Sequence, residues 1–232
     1  MNLRARRKCW LVLLFLAAFA GCQTWDAHRP TFWPFPERKL TTYHTPSMRV
    51  DAVKEFALKS KGVDTPEQRE ITDQLARQIQ VEPDPLVRQS VIRAIAEYRT
   101  PMAQQVLEAG LGDENKAVRI ECCRELGKRA EVPSVGALAT ALRGDKDEDV
   151  KMAAAQALGK IKSPESLQAL TAAIDDRDPA MQYVGVQSMK SVTGKDYGPD
   201  VQAWRQVATG GTPPAPAAPS IAERIRNVSP FK

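Results

Sequence analysis

Residues 84–95 read DPLVRQSVIRAI, and the same arrangement returns three times further along the chain. The later copies are NKAVRIECCREL at 115–126, DEDVKMAAAQAL at 147–158 and DPAMQYVGVQSM at 178–189. In each copy an Asp or Asn is followed after three residues by an apolar anchor. The anchors, spaced 31, 32 and 31 residues apart, are Val87, Val118, Val150 and Met181. A fixed period of this length indicates a stacked array of structural repeats.

Each copy carries the apolar spacing of an amphipathic helix. Apolar or small residues recur four, five and eight positions after the anchor, which places them on one helical face. The Asp or Asn before the anchor is a natural N-cap, and Pro85 and Pro179 occupy the first helical position after it. Three further prolines predict a second helix in three of the units, namely Pro101, Pro133 and Pro164. One such hairpin cannot bury its apolar face alone, so stacked neighbours would form one continuous core.

These caps, anchors and turn prolines resemble the short HEAT-like repeats of about thirty residues that also occur in the phycobilisome lyase family. The resemblance covers roughly residues 82–193. It implies an all-α fold, an α-solenoid of about five helical hairpins in a domain at 47–208. Because terminal repeats are atypical, the segment that contains Trp204 is predicted to cap the last apolar face. The expected hairpins are about 47–81, 82–112, 113–144, 145–174 and the cap unit 175–208.

Residues 1–21 have the order of an export signal. A basic stretch at 4–8 precedes an apolar run at 9–21, which is shorter than the roughly 20 residues that a membrane span needs. The run ends in Phe-Ala-Gly-Cys at 19–22, which resembles a bacterial lipobox. The resemblance implies that Cys22 is lipidated and becomes the mature N-terminus.

A lipidated Cys22 predicts an exported protein that is anchored to a membrane. The next residue, Gln23, is not the Asp that holds lipoproteins of enteric bacteria at the inner membrane. The resemblance therefore implies the outer membrane, facing the periplasm. The alternative is ordinary cleavage after Ala20, which would release a soluble exported adaptor.

Three segments flank the predicted domain. Four prolines interrupt residues 22–46, which we predict to be a lipidated, extended tether. Residues 209–219 form a Pro/Ala/Gly linker that is predicted to be disordered. The tail at 220–232 has an amphipathic spacing and is a candidate docking segment, either onto the array itself or onto a partner. Its candidate contact residues are Ile221, Arg224 and Ile225.

The net charge of +5 is concentrated in the export signal. The first 21 residues carry four basic residues and no acid, so the rest of the chain has 29 basic against 28 acidic residues. A near-neutral mature chain lacks the basic footprint of a nucleic-acid binder. The expected partners are therefore an unidentified protein and, through the lipid, a membrane.

The inventory of reactive side chains predicts neither catalysis nor metal binding. Both histidines, His28 and His44, lie in the tether, so the repeat domain lacks the commonest general base and metal ligand. Cys122 and Cys123 are adjacent, and they occupy positions where the other units place small core residues. We therefore expect no catalytic residue, no metal site and no cofactor, and we predict that the chain is not an enzyme. The alternative, an enzyme or enzyme subunit of the phycobilin-lyase type, would be supported by a reactive Cys122 or Cys123.

Two sets of polar residues are candidates for contacts between units or with a partner. The basic residues after the anchors are predicted to contact an acid or carbonyl of the neighbouring unit, with an anion-binding strip as the alternative. This inter-repeat ladder comprises Asp84, Arg88, Asn115, Arg119, Asp147 and Lys151. Polar residues of the second helices form a nearly uncharged row, and in HEAT-like arrays those helices line the concave face. This second-helix stripe comprises Gln105, Glu108, Thr140, Gln168 and Thr171.

The export signal, the repeat array and the side-chain inventory lead to one functional prediction. The chain is expected to be a membrane-anchored lipoprotein scaffold or adaptor. It is expected to bind another protein through its HEAT-like array, with the tail as an additional candidate contact.

Overall fold

The computed structural model describes residues 45–57 and 64–211 of the chain. Within these ranges every regular element is helical, which confirms the predicted all-α solenoid. The export signal, Cys22, almost all of the predicted tether and residues 212–232 lie outside the described residues. The tail residues that also lie outside them are Ile221, Arg224 and Ile225.

The described helices follow one another with short connections. Their bounds are α1 Pro46–Ala57, α2 Pro66–Val81, α3 Pro85–Ala96, α4 Pro101–Ala109, α5 Lys116–Arg129, α6 Val135–Gly144, α7 Glu148–Lys160, α8 Pro164–Ala169, α9 Thr171–Ile174, α10 Pro179–Thr193 and α11 Val201–Ala208. Two 3₁₀ turns, Gly110–Gly112 and Val132–Ser134, follow α4 and precede α6. Among these helices none combines the length and the apolar composition that crossing a membrane requires.

The helices form two layers. The first layer contains α1, α3, α5, α7 and α10, and each of these packs against the next in that order. Each second helix packs against the first helix of the following unit, as α2 does on α3, α4 on α5, α6 on α7 and α9 on α10. The apolar faces predicted from the period meet between the layers, where Val87, Val118 and Val150 are fully buried.

The N-caps explain where the first-layer helices begin. Asp84, Asn115 and Asp178 each accept a hydrogen bond from the backbone N–H two residues later, at 2.8, 2.9 and 2.9 Å. These bonds satisfy donors that the first turn of a helix leaves unpaired. Asp147 differs, because its carboxylate accepts from Arg119 of the preceding unit and makes no cap bond to α7.

Two glycines allow neighbouring first-layer helices to approach closely. A Cβ on Gly127 of α5 would lie 2.8 Å from the Cα of Ala157 in α7. A Cβ on Gly159 of α7 would lie 2.8 Å from the Cα of Ser188 in α10. Real Cβ atoms are not found that close to backbone carbon, so these two interfaces depend on glycine.

Trp204 of α11 closes the last described hairpin. Its side chain is fully buried, and its Nε1 donates to the carbonyl of Gly198 at 2.8 Å. Its ring meets Tyr197 edge-to-face with the centroids 5.1 Å apart. Gly198 has a φ of 80°, a conformation that glycine adopts readily. The loop before α11 is therefore held against it, and the burial of Trp204 agrees with the predicted capping role.

Candidate binding surface

The second-helix stripe lies on α4, α6, α8 and α9. Gln105, Thr140 and Gln168 are exposed, one in each of three successive units. Glu108 and Thr171 are half-buried. The exposed members are uncharged, so the stripe offers amide and hydroxyl groups at recurring positions.

The hydroxyls and the amides of the stripe differ in what they already bind. Thr140 Oγ1 donates to the carbonyl four residues earlier at 3.0 Å, and Thr171 Oγ1 donates to the carbonyl three residues earlier at 2.7 Å. No hydrogen bond within the described residues engages the side-chain amides of Gln105 and Gln168. The two glutamines therefore keep all their side-chain donors and acceptors available to a partner, whereas Thr140 keeps its acceptor lone pairs.

The basic residues after the anchors face inward. Arg88 donates from Nε and Nη2 to the two carboxylate oxygens of Asp113 in the next unit, at 2.9 Å each. Its Nη1 donates to the carbonyls of Glu82 and Pro83 at 3.1 and 2.9 Å. This single side chain therefore joins the turn before its own helix to the turn before the following unit, in the paired geometry that guanidinium and carboxylate favour.

Arg119 repeats the arrangement one unit later. It donates to both oxygens of Asp145 at 2.8 and 3.0 Å and to Asp147 at 2.5 Å. Its Nη1 donates to the carbonyls of Asp113 and Glu114 at 2.8 and 3.2 Å. The repetition shows that the contact is a property of the repeat and not of one unit.

The Arg119 guanidinium also decides the ionisation of its partner. Burial favours the protonated form of Asp145, but the hydrogen bonds and charge of Arg119 outweigh this and hold the pKa of the carboxyl below its ordinary value. Arg88 and Arg119 are thus buried and neutralised by carboxylates. An anion-binding strip along this column is not supported, because these cations already have partners.

The ion pairing extends to the first unit but fades after the third. Arg49 of α1 donates to both oxygens of Glu82 at 3.0 and 2.8 Å. Lys151 does not reach the next unit and pairs with Glu148 in its own helix at 2.8 Å. Gln182 retains only the bond to the carbonyl six residues earlier, at 2.7 Å. The predicted inter-repeat ladder therefore needs correction at Lys151, whose ammonium lacks the two-pronged geometry of Arg.

The ladder also needs correction in its predicted acceptors, the Asp and Asn residues before the anchors. Asp84 and Asn115 cap their own helices, and of the three predicted acceptors only Asp147 receives an arginine. The acceptors that sequence reasoning missed lie five residues before each anchor. They are Glu82, Asp113 and Asp145. An acid at this position in every unit, Asp176 included, was the available signal.

A second buried charge was also missed. Glu121 of α5 is 3% exposed and accepts from Arg93 of α3 at 2.7 and 3.1 Å and from Arg124 at 2.8 Å. Burial opposes ionisation of Glu121, but the hydrogen bonds and charges of the two arginines leave its pKa below the ordinary value. This cluster ties α3 to α5 through the buried carboxylate of Glu121, and its two arginines are each about half exposed.

The two cysteines of α5 are core residues. Cys122 and Cys123 are fully buried and neither forms a disulfide. Burial raises the pKa of Cys122 well above its ordinary value and that of Cys123 to about 12. At Cys123 this effect of burial outweighs the charge of Arg119, which favours the thiolate, so neither thiol is held in the ionised form that reactive chemistry needs. Within residues 45–57 and 64–211 no group of three or more His, Cys, Asp or Glu side chains is placed to hold a metal ion.

Comparison with known proteins supports the repeat architecture. A family model described as HEAT repeats matches residues 72–135 and 109–190, which together are slightly more than half of the chain. No curated protein matches. Among solved structures, human deoxyhypusine hydroxylase in complex with glycerol is similar, with 23% sequence identity and a TM-score of 0.50. The similarity covers 59% of this chain and 46% of the hydroxylase, and at this identity it shows the fold alone.

The hydroxylase corrects one expectation. The chain was predicted not to be an enzyme, on the ground that the repeat domain lacks histidine and that its two cysteines occupy core positions. A solved neighbour with this fold is itself an enzyme, so the exclusion does not hold.

Proposed function

Because the chain belongs to the family of HEAT-repeat proteins, we propose that it is a membrane-anchored scaffold that binds another protein through the second-helix stripe. The observation that carries this proposal is a contrast between two polar rows. The arginines after the anchors are buried in ion pairs between units, whereas Gln105, Thr140 and Gln168 are exposed on successive second helices. Repeat arrays use such recurring exposed rows to bind extended partners.

The chemistry of the stripe favours a protein partner. Its exposed members are two amides and one hydroxyl, and the free amides of Gln105 and Gln168 both donate and accept hydrogen bonds. A partner rich in phosphate would require a row of cations, and the basic residues Arg88 and Arg119 are neutralised inside the array. A peptide or protein surface with its own donors and acceptors fits this row better.

Site-specific crosslinking in the native cell tests the interface. A photoreactive side chain is placed in turn at Gln105, Thr140 and Gln168, and Gln156, which is exposed on α7 of the first layer, serves as the matched control. We expect one and the same adduct from the three stripe positions and none from Gln156. An adduct from Gln156 without one from the stripe would contradict the assigned face.

The membrane anchor is a separate part of the proposal. It is supported by the basic stretch, the apolar run and the lipobox-like residues 19–22. The intact mass of the protein from native membranes tests it, and Cys22→Ser is the control that cannot be lipidated. We expect the mass of residues 22–232 plus acyl groups. An unmodified chain that begins at Gly21 would instead make the protein a soluble exported adaptor.

Enzymatic activity is the second candidate, and the shared fold of the hydroxylase is the observation that favours it. The comparison directs the test to hydroxylation. A peptide that contains deoxyhypusine is incubated with the purified protein and a small-molecule extract of its cell, and the peptide mass is followed. A gain of one oxygen atom that requires the protein would favour the enzyme over the scaffold.

A further inference from the structure

The C-terminal end of the first layer carries an open groove. It has a volume of about 380 Å³ and lies between α10 and the chain that leads into α11. Pro179, Tyr183 and Val186 form the apolar part of one wall, which also carries Gln182, Gln187 and Lys190. Pro199 and Val201 form the apolar part of the other, which also carries Asp196. Tyr183 is 66% exposed, which makes it one of the most exposed large apolar side chains of the described residues.

The groove occupies the position where another helix would continue the stack. Each of α3, α5 and α7 has a first-layer neighbour on both sides, whereas the described part of the chain gives α10 only α7. The opposite wall is firmly held, because Trp204 donates to Gly198 and Asp196 accepts from the Gly198 N–H at 2.9 Å. An apolar helix face beside a fixed wall therefore has no covering element within residues 45–57 and 64–211.

The chain itself continues from the same end of the array. Residues 212–232 follow Gly211, directly after α11, and α11 begins at the groove residue Val201. The eight-residue helix α11 is about 12 Å long, and the eight residues 212–219 reach about 26 Å when extended. The segment 220–232 is thus within reach of the groove.

The segment 220–232 also matches the groove in pattern and charge. Ile221, Ile225 and Val228 have helical spacing, and Ser220 with Glu223 has the spacing of a capping box. Asp196 lines the groove and pairs there with Lys190, and the exposed Asp178 and Asp200 adjoin the lining residues Pro179 and Val201 in the sequence, so the groove and its border carry more acid than base. The segment carries one acid, Glu223, and three basic residues, Arg224, Arg226 and Lys232. Opposite charges at the rim of an apolar contact favour one orientation.

We propose that residues 220–232 of the same chain dock in this groove as a short helix and cover the exposed face of α10. Ile221, Ile225 and Val228 face Tyr183 and Val186, and the arginines face the aspartates. The contact gives the array a final first-layer element. It does not involve the second-helix stripe, so it holds or fails independently of the proposed protein partner.

Hydrogen exchange of the full mature protein tests the contact. We expect the amides of residues 221–228 to exchange at least about tenfold more slowly than in a free peptide of the same sequence. Tyr183→Ser in the groove and Ile225→Ser in the tail should each abolish this protection. Leu86→Ser is the matched control, because Leu86 is 63% exposed and lies on α3, away from the groove. It should leave the protection unchanged, and circular dichroism confirms that each variant folds.

Three results would overturn the proposal. Residues 221–228 that exchange like the free peptide would show that the tail does not dock. Protection that survives Tyr183→Ser would place the tail elsewhere. Protection that is lost on dilution of a dimer would assign the groove to a second copy of the chain, and not to the tail of the same molecule.

Discussion

Replacing Arg119 with Met tests whether the ion pairs between units hold the array together. The guanidinium is 4% exposed and makes five hydrogen bonds, three of which go to carboxylates of the next unit. Met keeps much of the aliphatic packing but removes the charge. The substitution therefore leaves Asp145 buried without its cation.

The size of the effect follows from what Asp145 retains. Removing one member of a buried ion pair costs about 3–5 kcal/mol. Asp145 keeps the hydrogen bond from the Asp147 N–H at 2.9 Å, so we expect the lower value, about 3 kcal/mol. In an array of this size that corresponds to a fall in Tm of about 6–12 °C. Lys151→Met is the matched control and should cost about 0.5 kcal/mol, because Lys151 pairs only within its own helix.

Urea unfolding measures both variants, and hydrogen exchange of α5 and α7 shows where stability is lost, because repeat arrays do not always unfold as one unit. The double substitution Arg119→Met with Asp145→Asn removes both charges. It should cost about 1–2 kcal/mol, which is less than Arg119→Met alone. Equal losses for Arg119→Met and Lys151→Met would refute the structural role of the inter-unit pair.

Three further predictions concern packing, pH and thiol reactivity. Gly127→Ala should lower the free energy of unfolding by about 1–2 kcal/mol, because its Cβ would lie 2.8 Å from the Cα of Ala157 and the resulting strain exceeds the gain in helix propensity. Urea titration measures this loss. Gly136→Ala is the control and should not destabilise the protein, because no atom lies within 4 Å of its Cβ. Because the pKa of Asp145 is lower in the folded state than its ordinary value of 3.8, its ionised carboxylate stabilises the fold at pH values above 3.8. This contribution should disappear as the pH falls through the folded pKa. Asp145→Asn should therefore lose less stability between about pH 6 and pH 3 than the native chain. The two cysteines of α5 should resist alkylation in the native protein and react in denaturant, as measured by mass spectrometry of the treated protein. Alkylation of either cysteine in the absence of denaturant would contradict their burial.

The sequence was sufficient to predict what depends on local spacing. The period placed Val87, Val91 and Ile95 on one helical face, and all three are fully buried. The Asp and Asn caps act through the backbone two residues away, so Asp84 and Asn115 were recognisable without any tertiary information. The HEAT-like part of the resemblance is confirmed by the family match. The lipidation of Cys22 and the tail contacts stay predictions, because they fall outside the described residues.

The sequence was insufficient where a side chain had a choice of partners. Arg119 lies close in sequence to several acids, and it selects Asp145, which is 26 residues away. Acids are common in turns and at helix starts, where they suit the helix dipole, so the recurring acid before each anchor did not stand out as a partner for an arginine. Glu121 presented the same difficulty, since its partner Arg93 reaches it from another helix. Such pairs are fixed by the stacking of units and become visible only when the units are aligned.

Among the described residues, the ion pairs between units are found in the first three units of the array and are missing from the later ones. Arg49, Arg88 and Arg119 each bridge to the next unit, whereas Lys151 bonds within its own helix and Gln182 bonds to its own turn. The last first-layer interface, between α7 and α10, therefore relies on apolar packing and on the close approach at a glycine. Buried ion pairs add directional constraint that apolar packing lacks. The unit with the fewest such constraints is also the one that carries the open groove, so an element docked there would cover apolar surface and restrain the unit that the ladder leaves unpaired.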